Sequence, residues 1–436
     1  MRVPVVPNSI PKLSKSGLEL LVENGAGLFA NHSDAEYEIK GAKIATREDV
    51  LACDALITIN PPDLEELSEG CILMCVADPF RNPDVVNKAI SRGITLISMD
   101  MIPRRLSRAQ SMDVNSSQDN LSGYKAVLLG ASHAPKGIPM MTTSAGTVKP
   151  AKFVIMGSGV AGLQAIATAK RMGAVVYASD VRKSAAEQIE SVGGRFIEVE
   201  GMDDFEDESG YAKPLTPEFI QKVNNAVCKV ASDADVIITT ARIFGRPAPI
   251  TIPESAVQEF KKGAVIVDMN ADVGGNCELT SPGEIINSHG VKIIGIENLA
   301  GTIPSTASML YSNNLTNFVT SLMVDGNISL DLSDDILVGP PEDSDFYVRK
   351  ASDTKDLKKN FDVLRKGKDG EDLKTHCGAQ LSSEEHQKNV FGPAEGLLEN
   401  FIRAMTGDRD KRESDMPTAM GKKEMANKLF GKKICS

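Results

Sequence analysis

Two stretches of this chain hold side chains able to do chemistry. The first is "MIPRRLSRAQSMDVNSSQDN", residues 101–120, with three arginines and four serines alongside glutamine and aspartate, and no histidine, cysteine or lysine. Guanidinium forks, amides, hydroxyls and carboxylates can grip a ligand through many hydrogen bonds. None of them titrates near pH 7, so they are poorly suited to carrying a proton in catalysis. The chemistry that fits is one that needs a reactant held and oriented rather than protonated. The plainer alternative is a solvated loop whose arginines pair with nearby acids.

The second stretch is "AKFVIMGSGVAGLQAIATAKRMGAVVYASD". Gly157, Gly159 and Gly162 form GxGxxG after an apolar run, ahead of an alanine-rich helical pattern and a second apolar run ending in Asp180. Each position has a physical task in dinucleotide binding. Gly157 permits a tight turn, Gly159 leaves its backbone open to a pyrophosphate, and Gly162 lets helix and sheet pack closely. Val160 and Ala161 open the helix, whose unpaired N–H groups and positive dipole end favour phosphate. Asp180 can accept hydrogen bonds from ribose hydroxyls and would repel the extra phosphate of NADP. NAD(H) is therefore the expected cofactor, although Val181 and Arg182 follow directly and the arginine complicates that preference. The alternative is a glycine-rich turn with no ligand.

The elements that must position these groups follow from the apolar pattern. Strands are predicted at 18–22, 55–59, 72–76 and 94–99, with a helix at 83–93 between the last two. A second series is predicted at 153–156, 175–178, 236–240, 264–269 and 291–296. Short apolar runs alternating with helical patterns imply mostly parallel sheets with helices on both faces. The predicted fold class is α/β, with two Rossmann-like doubly wound parallel-sheet domains, a cleft between them and a polar C-terminal tail. The first domain is expected over 1–125, with 305–340 packing back on it, and the NAD-binding domain over 126–304. Residues 123–151 are expected to hold one helix and then a crossing loop. After 304, Ala307, Leu310, Tyr311, Leu315 and Phe318 recur at helical spacing. Residues 341–436 are expected to be linker and charged tail, since "RKGKDGEDLK" has no apolar face.

Composition narrows the function classes. Of 436 residues, 42% are hydrophobic, enough to bury cores in two domains. A net charge of −11 argues against nucleic acid as a partner and against a basic membrane-binding surface. No apolar stretch is long enough to span a bilayer, and the N-terminus shows no secretion signal. The expected location is intracellular, soluble or peripheral to a membrane, in a bacterial cytoplasm or a mitochondrial matrix. The seven cysteines are scattered without a CxxC pair, which points to reduced thiols. Cys71 and Cys75 lie in an apolar run and are expected in a core.

Several long segments are similar to one family. "GSGVAGLQAIATAKRMGAVVYASDVRKSAAEQIESVGGRF", the 101–120 segment, "MMTTSAGTVKPAKF", "ITTARIFGRPAP", "VDMNADVGGNCELTSPGE" and "ASMLYSNNLTNFV" resemble the NAD(H)-binding component of proton-translocating nicotinamide nucleotide transhydrogenase. The resemblance covers most of 1–335. It implies that Arg105, Gln110, Asp113 and Ser116 hold the nicotinamide end, with Arg105, Asp113 and Ser116 at the carboxamide. Gln110 would reach toward the ribose and the partner that carries NADP. It implies that Tyr211, in "FEDESGYAK", lies on a mobile loop that folds over nucleotide; a plain surface loop is the alternative. Thr240, Ala241, Asn270 and Asp272 are expected to line the cleft, although the family commonly has glutamate where Asp272 stands. A homodimer is implied, working beside NADP-binding and membrane-spanning components. Hydride transfer between two nicotinamides moves no proton to or from the protein, which agrees with the first stretch.

Two rivals remain. Alanine dehydrogenase shares the fold and the arginine at Arg2, but uses a lysine and a histidine. The matching stretches "LITINPPDLEEL" and "CILMCVADPF" contain neither. The other rival is a repurposed subunit that keeps the fold without the activity. It is suggested by the unusual tail and by a missing first strand, whose loss would expose a sheet edge unless something covers it.

Overall fold

A computed structural model describes residues 1–104, 106–199, 216–243, 247–331, 333–338 and 433–435. It divides into two compact units. One holds Met1–Asn115 together with the described residues from Pro304 onward, and the other holds Ser116–Ile303.

The first unit is built on β1 (Glu19–Glu23), β2 (Lys43–Ala45), β3 (Ala55–Ile57), β4 (Ile72–Cys75) and β5 (Thr95–Ser98). Every residue of β3 and β4 is buried. Strands covered on both faces lose the polar alternation of half-exposed ones, which is why apolar runs marked them in the sequence. The helix Pro83–Ser91 connects β4 to β5 as predicted.

The last described segment changes the reading of the tail. Lys433–Cys435 form an inner strand, and the sheet order is β2, β1, this C-terminal strand, β3, β4, β5, all parallel. Ile434 is in register with Leu20 on one side and Ala55 on the other. The sequence predicted only charged tail here, and a missing first strand whose loss would expose a sheet edge unless something covered it. Three residues, one of them a lysine, are too few to display a period, so no local pattern could reveal the strand.

The predicted long helix runs over Pro304–Ser321. Its Tyr311, Leu315, Phe318 and Val319 join a core with Val5, Ile57, Met74 and Met112. Truncating a side chain as buried as Phe318 costs about 3–5 kcal/mol in such cores. Its serine side ties down the start of the chain: Ser308 Oγ accepts from the Val3 N–H at 2.9 Å and Ser312 Oγ from the Val6 N–H at 3.0 Å.

The second unit holds the helix Val114–His133 from Ser116 onward and a hairpin of β6 (Met141–Thr143) and β7 (Gly146–Val148). The hairpin replaces the crossing loop expected there; both strands are exposed, so burial left no trace in their composition. Its sheet comprises β8 (Lys152–Met156), β9 (Val175–Ser179), β10 (Arg195–Phe196), β11 (Val236–Thr239), β12 (Val265–Asp268), β13 (Ile285–Ser288) and β14 (Val291–Ile294). The order is β10, β9, β8, β11, β12, β14, β13, parallel except for β13. Strand order reverses between β8 and β11, and in such sheets ligands sit beyond the carboxyl ends of the strands at that point. Gly157 follows β8 there, and Thr240 follows β11.

One thiol departs from expectation. Cys53 is disulfide-bonded, while Cys71, Cys75, Cys228 and Cys277 are free. Spacing along a chain does not report which sulfurs the fold brings together.

Candidate functional site

The three glycines behave differently when a Cβ is imagined on each. Gly157 has φ +101°, and a Cβ would stand 2.5 Å from Thr240 Oγ1. Thr240 uses that hydroxyl to donate toward the carbonyls of Met156 and Gly157, at 3.2 and 3.1 Å. At Gly162 a Cβ would collide with the Gly157 carbonyl oxygen, so this glycine fixes how near the helix lies to the turn. At Gly159 nothing lies within 4 Å of the added atom. That space opens at the first turn of the helix Val160–Arg171, whose N-terminus has no side-chain cap. Gly159 and Val160 are exposed. The start of the helix, with Val160 and Ala161, therefore presents free N–H groups to an open space, which suits a pyrophosphate.

Asp180 stands at the end of β9 and is nearly buried. Its Oδ2 accepts from the Ser158 N–H at 2.9 Å and the Ser158 hydroxyl at 2.7 Å. Its Oδ1 accepts from the Arg182 backbone N–H at 3.0 Å and Arg182 Nε at 2.9 Å. Burial would raise this carboxyl's pKa, but the hydrogen bonds and charge of Arg182, with Ser158, outweigh it and hold the pKa below the usual range. Val181 is half-buried between them. Ser158 was not singled out in the sequence; a serine inside GxGxxG has no signature of its own until the fold sets it against Asp180.

A second buried network holds the loop after β12. Asp268 is fully buried and accepts from Thr239 Oγ1, from the N–H groups of Asn270, Asn276 and Cys277, and from Thr280 Oγ1. Asn270 and Asn276 both donate to the Ala241 carbonyl, at 3.0 and 2.8 Å. Asn270 and Ala241 are thus joined by a hydrogen bond, while Asp272 is exposed on a short turn. Asp268 was legible only as a polar residue closing an apolar run, and its role as hub needs the folded loop.

The helix Val114–His133 packs on the cradle helix. A Cβ on Gly123 would collide with the Ala161 carbonyl, and Asn120 Nδ2 donates to Gln164 Oε1 at 3.1 Å. Ser116 lies in the first turns of this helix rather than in the loop the sequence implied. The polar run "NSSQDN" lacks the apolar stripe that marks most helices.

In the first unit, Gln110 is exposed on a 3-10 turn, Gln110–Met112, and Asp113 follows it buried. Arg105 and Tyr211 lie outside the described residues.

Comparison with known proteins places these residues in context. The N-terminal domain family of alanine dehydrogenase/PNT matches residues 1–122, and the C-terminal domain family residues 126–340. An NAD(P) transhydrogenase subunit alpha chain of Rhodospirillum rubrum is 45% identical over 331 residues, covering 73% of this chain and 86% of its own. The crystal structure of transhydrogenase from Sinorhizobium meliloti superposes with a TM-score of 0.70 at 38% identity, covering 77% of this chain and 92% of its own. Alanine dehydrogenase of Bacillus subtilis (strain 168) is 26% identical over 324 residues, 72% of this chain and 79% of its own.

Proposed function

Because the chain belongs to the alanine dehydrogenase/PNT family, we propose that it is the NAD(H)-binding component of a nicotinamide nucleotide transhydrogenase, passing hydride between NADH and NADP held on a partner component. The observation that carries this reading is the open space over Gly159 at an uncapped helix N-terminus, with an ionised Asp180 closing the next strand.

When bound, NADH supplies the hydride from its nicotinamide ring. The chain's own residues bind and orient. N–H groups at the start of the Val160–Arg171 helix take the pyrophosphate, and Asp180 takes the ribose hydroxyls. For it to do so, Ser158 or Arg182 must yield part of its hold on the carboxylate. Thr240, Ala241, Asn270 and Asp272 take contacts along the nucleotide. Arg105, Asp113 and Ser116 hold the carboxamide, Gln110 reaches the ribose, and Tyr211 covers the nucleotide. No general acid or base is assigned, because hydride transfer between two nicotinamide rings leaves no proton on the protein.

Alanine dehydrogenase chemistry needs a proton relay. Residues 56–67 and 71–80 carry neither lysine nor histidine. A homodimer is supported by the β6–β7 hairpin, where Met140, Met141 and Val148 are exposed and a second copy could cover them. Among the described residues no helix is long and apolar enough to cross a membrane; the membrane-spanning component is proposed as a partner on the family resemblance.

The test has two stages. NADH is titrated against the full chain by fluorescence or heat. The chain is then mixed with the NADP-binding component of a transhydrogenase, and hydride exchange is followed with a spectrally distinct NAD analogue. Binding with exchange is expected. Binding without exchange would favour the repurposed subunit, and turnover of pyruvate and ammonia would favour alanine dehydrogenase.

A further inference from the structure

The segment "SNNLTNF" has no role in the function as described so far, yet two of its asparagines converge on one atom. Asn314 Nδ2 donates to the Ser111 carbonyl at 2.9 Å, and Asn317 Nδ2 donates to the same oxygen at 3.3 Å. Both come from the Pro304–Ser321 helix. We propose that Asn314 and Asn317 are positioning residues, a two-donor clamp that sets the peptide between Gln110 and Asp113 for hydride transfer. The inference rests on the transhydrogenase reading of those two residues.

Four observations support it. The clamped carbonyl belongs to the residue between Gln110 and Met112, so turning that peptide moves Gln110 on one side and Asp113 on the other. The turn's own bonding weakens there: the Met112 N–H reaches the Ala109 carbonyl at 2.8 Å, but the Asp113 N–H reaches the Gln110 carbonyl only at 3.3 Å. Both amides have a fixed sense. Lys12 Nζ donates to Asn317 Oδ1 at 2.7 Å, which leaves its nitrogen for Ser111, and flipping Asn314 would set two oxygens face to face. Finally, Asn314 Oδ1 is buried and has no hydrogen-bond partner among the described residues. A buried acceptor left unpaired costs stability, so an apolar residue would serve a purely structural role better.

Ala109 and Met112 anchor the same turn from below, in the core with Leu315 and Phe318. Losing the clamp therefore leaves the turn attached but free to rotate its exposed peptide. A displacement of about 1 Å at reacting groups can slow a reaction on the order of 100-fold without comparable loss of binding.

The experiment uses the full chain as Asn314→Ala, Asn317→Ala and the double variant. Either single change leaves one donor, so the double variant should lose more than the two singles combined. Expected for the double variant is hydride exchange slowed at least ~10-fold, NADH affinity within ~3-fold of wild type, and faster deuterium exchange at the Met112 and Asp113 amides. A double variant that exchanges hydride at the wild-type rate would overturn the proposal. So would parallel losses of rate, affinity and unfolding midpoint, since those mark a general structural defect. If the wild-type chain itself transfers no hydride, the functional reading fails on its own. The amide measurement then still decides the clamp: unchanged exchange at Met112 and Asp113 in the double variant rejects it.

Discussion

Gly159→Ala separates what the cradle does for the fold from what it does for a ligand. In the free chain nothing lies within 4 Å of the added methyl, and Gly159 already has φ −66°, which alanine adopts without strain. Replacing glycine at a helix N-cap with alanine costs at most about 1 kcal/mol. A pyrophosphate that must approach this backbone meets the methyl instead and is pushed outward by roughly the length of one bond. One or two charge-assisted hydrogen bonds to helix N–H groups would be lost, at about 1.5–3 kcal/mol each. That corresponds to NADH binding weakened by about 10-fold to more than 10,000-fold. Gly162→Ala supplies the contrast, because its methyl would strike the Gly157 carbonyl, a backbone atom that cannot swing aside. That variant should lose stability by about 1–3 kcal/mol whether or not nucleotide is present. The assay is NADH titration beside urea unfolding of both variants. Gly159→Ala binding NADH within ~3-fold of wild type would refute the cradle, as would equal destabilisation of the two variants.

Asp180→Asn should weaken NADH binding by about 10-fold, consistent with a charged acceptor facing ribose hydroxyls. Because the Asp180 carboxyl is held low in the fold, its stabilising contribution is in place above about pH 4 and is lost as pH falls through the folded value. Urea unfolding of the asparagine variant should therefore show a shallower acid limb than wild type, with the difference constant between about pH 5 and 8. Burial pushes the Cys71 and Cys277 thiols up to about 11, so both should resist alkylation at about pH 8 until the chain is unfolded; rapid native labelling, read by mass spectrometry, would contradict that packing. Ile434→Pro removes an inner-strand N–H and should speed amide exchange at Leu20–Leu21 and Ala55–Leu56. Unchanged protection there would argue against the C-terminal strand.

How much could be read from the sequence depended on how local each feature is. The inner strands β3, β4, β11 and β12 are continuous apolar runs because both their faces are covered, and they were legible. The exposed β6–β7 hairpin is not constrained by burial and left no pattern. Gly157, Gly159 and Gly162 were legible because one turn sets all three requirements within a short run of sequence. Ser158, Asp268 and Asn276 act through partners far along the chain, or through a loop shape that exists only when folded. Gly123 and the Asn314–Ser111 contact are tertiary by nature: each is meaningful only once a second helix or turn has arrived beside it. The helix around Ser116 was not predicted, because its polar start hides the helical period.

The strand at Lys433–Cys435 also bears on how the chain is made. β1 and β3 leave the ribosome early, but the backbone groups they turn toward each other stay unmatched until residue 435 has been polymerised. At roughly 5–20 residues per second the wait lasts tens of seconds. Throughout it the nascent amino-terminal half carries two open strand edges that can capture the wrong partner. Biogenesis of this protein should therefore depend on holdase chaperones more than that of a homologue whose central strand is translated first.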